Sequence, residues 1–250
     1  MPQFFIKSTN INENEAIISE KEDIKHILNV LRYRINDELI LVDEDEFAYK
    51  VIITDIQKNS ITTKVIEKVQ SFRKLSLNIT LAQSILKASA QDILIQKTTE
   101  LGVKTIVPIV SRYTVVKFNN KKDMEQKIKR WQKIAFESCK QCERSDIPVV
   151  ADIISIESLL NIVDDYDLAV VCVERNADMS IKEFLKVNKP FVDKNLKILA
   201  IVGPEGGWSD EEICMFQGKN LKTLTLGNLI FRAETAALNV LSDIIYEYEL

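Results

Sequence analysis

Ile198-Leu-Ala-Ile-Val-Gly-Pro-Glu-Gly-Gly-Trp-Ser-Asp-Glu-Glu212 and Leu226-Gly-Asn-Leu-Ile-Phe-Arg-Ala-Glu-Thr-Ala-Ala237 both read as an apolar strand end, a glycine turn and the start of a helix. Four of the six glycines in the 250 residues fall in these two stretches: Gly203, Gly206, Gly207 and Gly227. Glycine is the residue for sharp turns and for backbone that a ligand approaches closely. A glycine-poor chain that concentrates it here is marking a site.

Working outward, the segment from Leu77 onward alternates strands and helices. Strands are expected at 77–86, 105–110, 167–174, 197–202 and 221–226, and helices at 89–101, 123–142, 155–162, 178–187 and 210–217 and at the C-terminus. Such alternation predicts a parallel sheet with helices on both faces, whose ligands sit outside the carboxyl ends of the strands. Both glycine turns lie at carboxyl ends. Ala233, Ala237, Val240, Leu241, Ile244, Ile245 and Tyr248 recur at helical spacing, so the last helix has a buried face. Residues 1–70 read differently, as short strands around Phe4, Ile17, Leu39 and Val51 and from Ile61 to Val69. One helix interrupts them, with Ser19 and Glu22 spaced as a capping box and Ile24, Ile27, Leu28 and Leu31 as its apolar stripe. The division expected is a small β-barrel or curled sheet over 1–70 and an α/β domain over 71–250, linked through Val69 to Leu75.

Composition limits the function classes. Hydrophobic residues at 46% and charged residues at 28% are those of an ordinary globular protein. No apolar run approaches the roughly 20 residues of a membrane span, and the first residues lack a signal-peptide layout. A cytoplasmic location without membrane attachment is therefore expected. Cys139 and Cys142 form a C-x-x-C late in a predicted helix, whereas thiolate activation favours a helix N-terminus. With one histidine, His26, a zinc site is poorly supplied, and no metal is expected. Net charge is −4, yet the stretch from Arg112 to Arg144 carries +6. A local basic segment of this kind can track a phosphate backbone or can be a solvated helix face.

The glycine turns do not match the phosphate-binding patterns. Gly203-Pro-Glu-Gly-Gly207 has neither the spacing and lysine of a P-loop nor the three glycines of a dinucleotide turn. Ser209-Asp-Glu-Glu212 reads as a capping box with three carboxylates, which stabilise the helix dipole and repel a phosphate. A nucleoside ligand without phosphates, or with positive charge, suits the place; S-adenosylmethionine is such a ligand. In the second turn, Arg232 and Glu234 are read either as a surface ion pair and a helix cap, or as a fixed cation and a carboxylate facing a substrate.

Taken together, these residues resemble the RsmE-type ribosomal RNA uridine-N3 methyltransferases of the SPOUT superfamily. The resemblance rests on Gly203-Pro-Glu-Gly-Gly207 with its serine-capped acidic helix and on Leu226-Gly-x-x-Ile-x-Arg-x-Glu-Thr-Ala236. It extends to His26-x-x-x-Val-Leu-Arg32, Gln96-Lys-Thr-Thr-Glu-Leu-Gly102 with Ile106-Val-Pro108, Arg112, Trp131-Gln-Lys-Ile-Ala135 and Gln141-Cys-Glu-Arg-Ser145. Asn36-Asp37 stands where the family commonly has Gly-Asp, and Val42-Asp-Glu-Asp-Glu46 lacks the usual hairpin glycine.

The resemblance implies a PUA-like N-terminal barrel and a C-terminal methyltransferase domain with a trefoil knot, assembled as a homodimer. The implied reaction is transfer of a methyl group from S-adenosylmethionine to N3 of a uridine in 16S rRNA of the small ribosomal subunit. Cofactor contacts are expected mainly from backbone groups of Ile201, Val202, Gly203, Gly207, Leu226, Gly227 and Ile230, and catalysis from Arg232 with Glu205 or Glu234. RNA contacts are expected from Arg32, Arg112, Lys117 and Arg144. The alternatives are action on tRNA or another rRNA position, or a non-catalytic ribosome-assembly factor on the same fold.

Overall fold

The computed structural model describes residues 1–70, 74–189 and 196–249; residues 71–73 of the expected linker lie outside them. Contacts divide the chain into two units, Met1–Lys74 with Cys139–Asp146, and Leu75–Ser138 with Ile147–Leu250. A linear division at 70/71 does not anticipate the short return of 139–146 to the first unit.

The first unit contains β1 (Gln3–Phe5), β2 (Glu15–Ile18), α1 (Lys21–Lys25), β3 (Glu38–Val42), β4 (Phe47–Ile56) and β5 (Ile61–Gln70). The strands form one sheet in the order β1-β3-β4-β5-β2, with β1 parallel to β3 and the other pairs antiparallel. Alternation sends Leu39, Leu41, Val51 and Ile53 inward to a core shared with Phe4, Ile18, Ile27 and Ile61. The helix starts one residue later than the Ser19 pattern suggests. Glu20 is its N-cap and gives no side-chain cap, so the Ser19–Glu22 capping box does not form. From His26 to Val30 the helix widens into a π-turn, closed by the Leu31 N–H donating to the His26 carbonyl at 3.0 Å. The His26 ring meets Phe4 edge-on at 5.7 Å.

The two positions without the family's glycines are handled locally. Asn36 adopts φ +78° and Glu46 φ +63°, left-handed backbone that asparagine accepts readily and glutamate rarely. At Glu46 the strain is offset by buried Asp43, which accepts from the N–H groups of Asp45 and Phe47 at 3.0 and 2.9 Å and from the Tyr49 hydroxyl at 2.7 Å. In segment 139–146, Lys140 pairs with Asp23 at 2.7 Å, and the Gln3 amide donates to the Arg144 carbonyl at 2.8 Å. Arg144 departs from the expected RNA contact. Its guanidinium is buried and held on Asp146 at 2.8 Å, so it braces this turn instead of standing on the surface.

The second unit contains β6 (Asn78–Ser84), α2 (Ala88–Glu100), β7 (Thr105–Val110), α3 (Lys121–Cys142, shared with the first unit at its end), β8 (Val149–Val150), β9 (Ile154–Ser155) and α4 (Ile156–Leu160). It continues with β10 (Leu168–Cys172), β11 (Met179–Ser180), α5 (Ile181–Asn188), β12 (Lys197–Val202), α6 (Asp210–Gly218), β13 (Lys222–Thr225) and α7 (Ala233–Tyr248). The sheet runs β11-β13-β10-β12-β6-β7-β8, with β9 also on β7, and its ladders are parallel. One face packs Leu81, Val170 and Ala200 against Leu94, Trp131, Phe184 and Val240, from α2, α3, α5 and α7. The other packs Ala82, Val171 and Ile201 against Leu159 of α4 and Phe216 of α6. The parallel sheet with helices on both faces is thus present. The two-residue strands β8, β9 and β11 are too short to leave a periodic signal. Among the described residues no helix is long and apolar enough to cross a membrane.

Two outcomes follow from this packing. Gly102 ends α2 at φ +93°, and a Cβ there would lie 2.6 Å from Leu75 Cδ1. Gly102→Ala is expected to cost about 2 kcal/mol, through strain and overpacking; an unchanged urea midpoint would mean that this helix end can re-form another way. Burial pushes the Cys139 and Cys172 thiols up to about 12, whereas Cys214 is exposed. A thiol reagent at pH 8 is therefore expected to label Cys214 in the folded protein, and Cys139 and Cys172 only after unfolding.

Candidate active site

The first glycine turn is built by sterics at two positions and by conformation at a third. The Gly207 N–H donates to the Pro204 carbonyl at 3.0 Å, closing a four-residue turn, and Gly207 itself sits at φ +72°. A Cβ on Gly203 would lie 3.1 Å from the Trp208 ring, and one on Gly206 3.0 Å from Tyr113 Cβ. Trp208 is fixed in turn, its indole N–H donating to the Cys172 carbonyl at 2.9 Å and its ring meeting Phe216 edge-on at 4.9 Å. Beneath the turn, the amide of buried Gln83 donates to the Gly203 carbonyl at 2.9 Å and the Ser84 carbonyl at 3.0 Å.

Helix α6 then starts as its sequence predicts. Ser209 Oγ accepts from the Glu212 N–H at 3.3 Å, and Glu212 Oε2 accepts from the Ser209 N–H and hydroxyl, both at 2.9 Å. The other Glu212 oxygen accepts the Arg112 N–H at 2.8 Å. Glu212 is therefore a structural carboxylate that ties the loop after β7 to the cap of α6.

The second turn is held by Thr225, whose hydroxyl accepts the Gly227 N–H at 3.2 Å and donates to the Gly227 carbonyl at 3.0 Å. Gly227 takes φ +140° with nothing within 4 Å of a would-be Cβ, so conformation and not crowding requires glycine. Helix α7 begins after Arg232, which caps it by backbone geometry alone. Glu234 provides no cap, and Arg232 is exposed and forms no ion pair among the described residues. Neither half of the structural reading of this pair holds.

A cavity of about 820 Å³ opens between the loops that follow β6, β10, β12 and β13. These strands are adjacent in the sheet, and all four loops leave its carboxyl edge. The volume is that of a site for a small organic ligand. The structure brings Val202, Gly203, Gly207, Leu226, Gly227 and Ile230 to its wall, together with Arg232, Glu205 and Glu234. Ile201 does not line it; its side chain is buried on the opposite face of the sheet, in the core beneath α4 and α6. Arg112 and Lys117 are exposed outside the cavity, as is Arg32 in the first unit, at φ +60°.

Sequence reasoning missed Lys87, Glu174, Arg175 and Trp208, which also line the cavity. Lys87 and Glu174 stand just past strand ends without a glycine to mark them. The carboxyl-edge rule alone could have pointed there. Glu205 accepts the Lys87 N–H at 3.3 Å, joining the loops after β6 and β12. The wall is electrically mixed, with Lys87, Arg175 and Arg232 against Glu174, Glu205, Asp210 and Glu234. Cys172 lies in the wall as a neutral thiol, pushed up to about 12 by burial, and is no nucleophile.

Comparison with known proteins agrees with this architecture. Residues 73–245 match the RNA methyltransferase domain family, and residues 18–66 match the RNA methyltransferase PUA domain family. The ribosomal RNA small subunit methyltransferase E of Bacillus subtilis is 32% identical, over 100% of this chain and 98% of its own. That of Mesomycoplasma hyopneumoniae is 30% identical over 98% and 99%. The crystal structure of a ribosomal RNA small subunit methyltransferase E from Neisseria gonorrhoeae bound to S-adenosyl methionine superposes with a TM-score of 0.82 at 27% identity, covering 99% of this chain and 98% of that one. A putative methyltransferase from Legionella pneumophila, in complex with S-adenosyl methionine, gives 0.84 at 25% identity over 98% and 96%. With relatives matched along their whole length and a methyltransferase domain spanning the cavity, the chain belongs to the ribosomal RNA small subunit methyltransferase E family.

Proposed function

We propose that the chain transfers a methyl group from S-adenosylmethionine to N3 of a uridine in 16S rRNA of the small ribosomal subunit. The observation that carries this reading is a cavity that spans both glycine turns at the carboxyl edge of the sheet. Its walls fit the donor. Backbone around Gly203, Gly207 and Gly227 is open to close approach, with apolar side chains of Val202, Leu226 and Ile230 beside it. The acidic first turn of α6, with Asp210 in the wall, disfavours a phosphate and tolerates a cation. We assign cofactor contacts to these residues and to the Ile201 backbone. When bound, S-adenosylmethionine supplies a methyl group already activated on a sulfonium.

The chain's own task is to ready the uracil. N3 carries a proton and is a poor nucleophile until that proton leaves. Arg232, permanently charged and without an ion pair among the described residues, stabilises the developing uracil anion or a flanking phosphate. Glu205 or Glu234 takes the proton. Glu234 is free of capping duty, and Glu205 already accepts one N–H, from Lys87. RNA capture is assigned to residues 1–70 and to the exposed cations Arg32, Arg112 and Lys117; residues 71–250 carry the chemistry. The same reading includes a SPOUT-type trefoil knot in the C-terminal segment, a homodimer and a cytoplasmic location. The strand order supports the knot, since β12 and β13 flank the earlier β10.

Small ribosomal subunits lacking the modification, incubated with the protein and S-adenosylmethionine and digested for mass spectrometry, are expected to yield N3-methyluridine. Donor binding without a methylated nucleoside would redirect the reading to tRNA or another rRNA position, and absence of donor binding to an assembly factor. Arg232→Ala is expected to lower turnover by about 10²-fold or more while the donor's Kd stays nearly unchanged. A large loss of donor affinity would instead place Arg232 among the cofactor contacts.

A further inference from the structure

Glu174 has no assigned role, yet it lines the cavity on the loop that lies between the two glycine turns. The two glycine turns follow β12 and β13, and β10, which ends just before Glu174, lies between those strands. A ligand that touches both turns therefore crosses the loop after β10. That loop is pinned at both ends. The Cys172 carbonyl accepts the Trp208 indole N–H at 2.9 Å, and the Val173 N–H donates to the Leu224 carbonyl at 2.9 Å. At the far end, Asp178 accepts the Thr223 N–H and hydroxyl, both at 2.9 Å, and these bonds hold its carboxyl below the usual carboxylate range.

Glu174 rides on this fixed loop with its carboxylate aimed at the first turn. Its Oε1 lies 3.6 Å from where a Cβ on Gly207 would stand. Gly207 has no such atom, so the carboxylate stands beside the bare side of the turn. It is exposed and has no hydrogen bond or ion pair among the described residues. Glu205, in contrast, is engaged with the Lys87 N–H, and Glu212 is consumed in the cap of α6. An unneutralised carboxylate fixed over the close-approach surface favours a ligand carrying positive charge there.

We infer that Glu174 is the residue that makes the cavity prefer the cationic methyl donor over its neutral thioether product. This rests on the methyl-donor reading above. S-adenosylmethionine and S-adenosylhomocysteine share adenine, ribose and the amino-acid group and differ in the sulfonium charge and its methyl. A carboxylate directed at the shared parts acts on both alike; one directed at the sulfonium acts on the donor alone. The charge difference promotes exchange of product for fresh donor after each transfer.

The test is calorimetric titration of both compounds into the wild-type protein, Glu174→Gln and Glu174→Ala. Removing one charge near a water-exposed cation is expected to weaken donor binding about fivefold, leaving the affinity for S-adenosylhomocysteine unchanged. Equal weakening of both compounds, or no change in either, overturns the inference while leaving the cavity as the cofactor site. Wild-type protein that binds neither compound overturns the methyl-donor reading itself, which distinguishes the two failures. The exposed position of Glu174 makes both variants compatible with the fold, and an unchanged unfolding midpoint verifies it.

Discussion

Parallel pairing of β12 with both β6 and β10 governs the geometry of the site. In that ladder Val202 stands opposite Gln83, and Ile201 opposite Val171, so three strands end at nearly the same level. Hydrogen bonds between parallel strands are evenly spaced and slanted, which leaves the carbonyls at the finishing edge in need of partners. The Gln83 amide answers that need at the Gly203 carbonyl and extends the pairing one step beyond the strand. The glycine turn thus starts from a fixed platform, and the ligand-facing backbone inherits its position from the sheet.

Polar side chains at this edge act mainly on backbone. Glu212 closes the cap of α6 and holds the Arg112 amide; Asp178 holds the Thr223 amide; Trp208 holds the Cys172 carbonyl. Each joins two loops through a main-chain group, and the buried Glu212 carboxylate would be costly to hold there without partners. The cavity wall is consequently stiff where the turns meet it. Glu174, a wall carboxylate without an ion pair among the described residues, stands on a loop whose ends these bonds hold. Such an arrangement avoids reorganisation when charge develops in the reacting base.

Much of this was legible in the sequence because the signals were local. The Ser209–Glu212 capping box, the alternating apolar strands and the clustered glycines each reflect chemistry within a few residues, and each has its counterpart in the structure. The failures came where distant segments intervene. Ser19 carries a capping pattern, but the helix begins one residue later, at Lys21, and then widens at His26. Arg144 looks like one more cation in a basic stretch, and only the fold reveals Asp146 and Gln3 around it. Glu174 and Lys87 carry no local mark; strand order alone makes them neighbours of the glycine turns. At Ile201 alternation along β12 turns the side chain into the core, so only its backbone is on offer to the cavity side.

The pairing of β6 with β12 also has a cost in time. Gln83 and the Val202 carbonyl it approaches are 119 residues apart in the chain. At roughly 5–20 residues per second, a ribosome needs roughly 6–24 s to make the segment between them. Throughout that interval β6 and β7 have no β12 on their open flank, and the apolar surface of Leu81 and Ala82 lacks part of its cover. Nascent chains of this protein therefore pass through a window in which a half-built sheet presents an unpaired edge, which makes synthesis, more than the finished fold, the stage most exposed to mispairing.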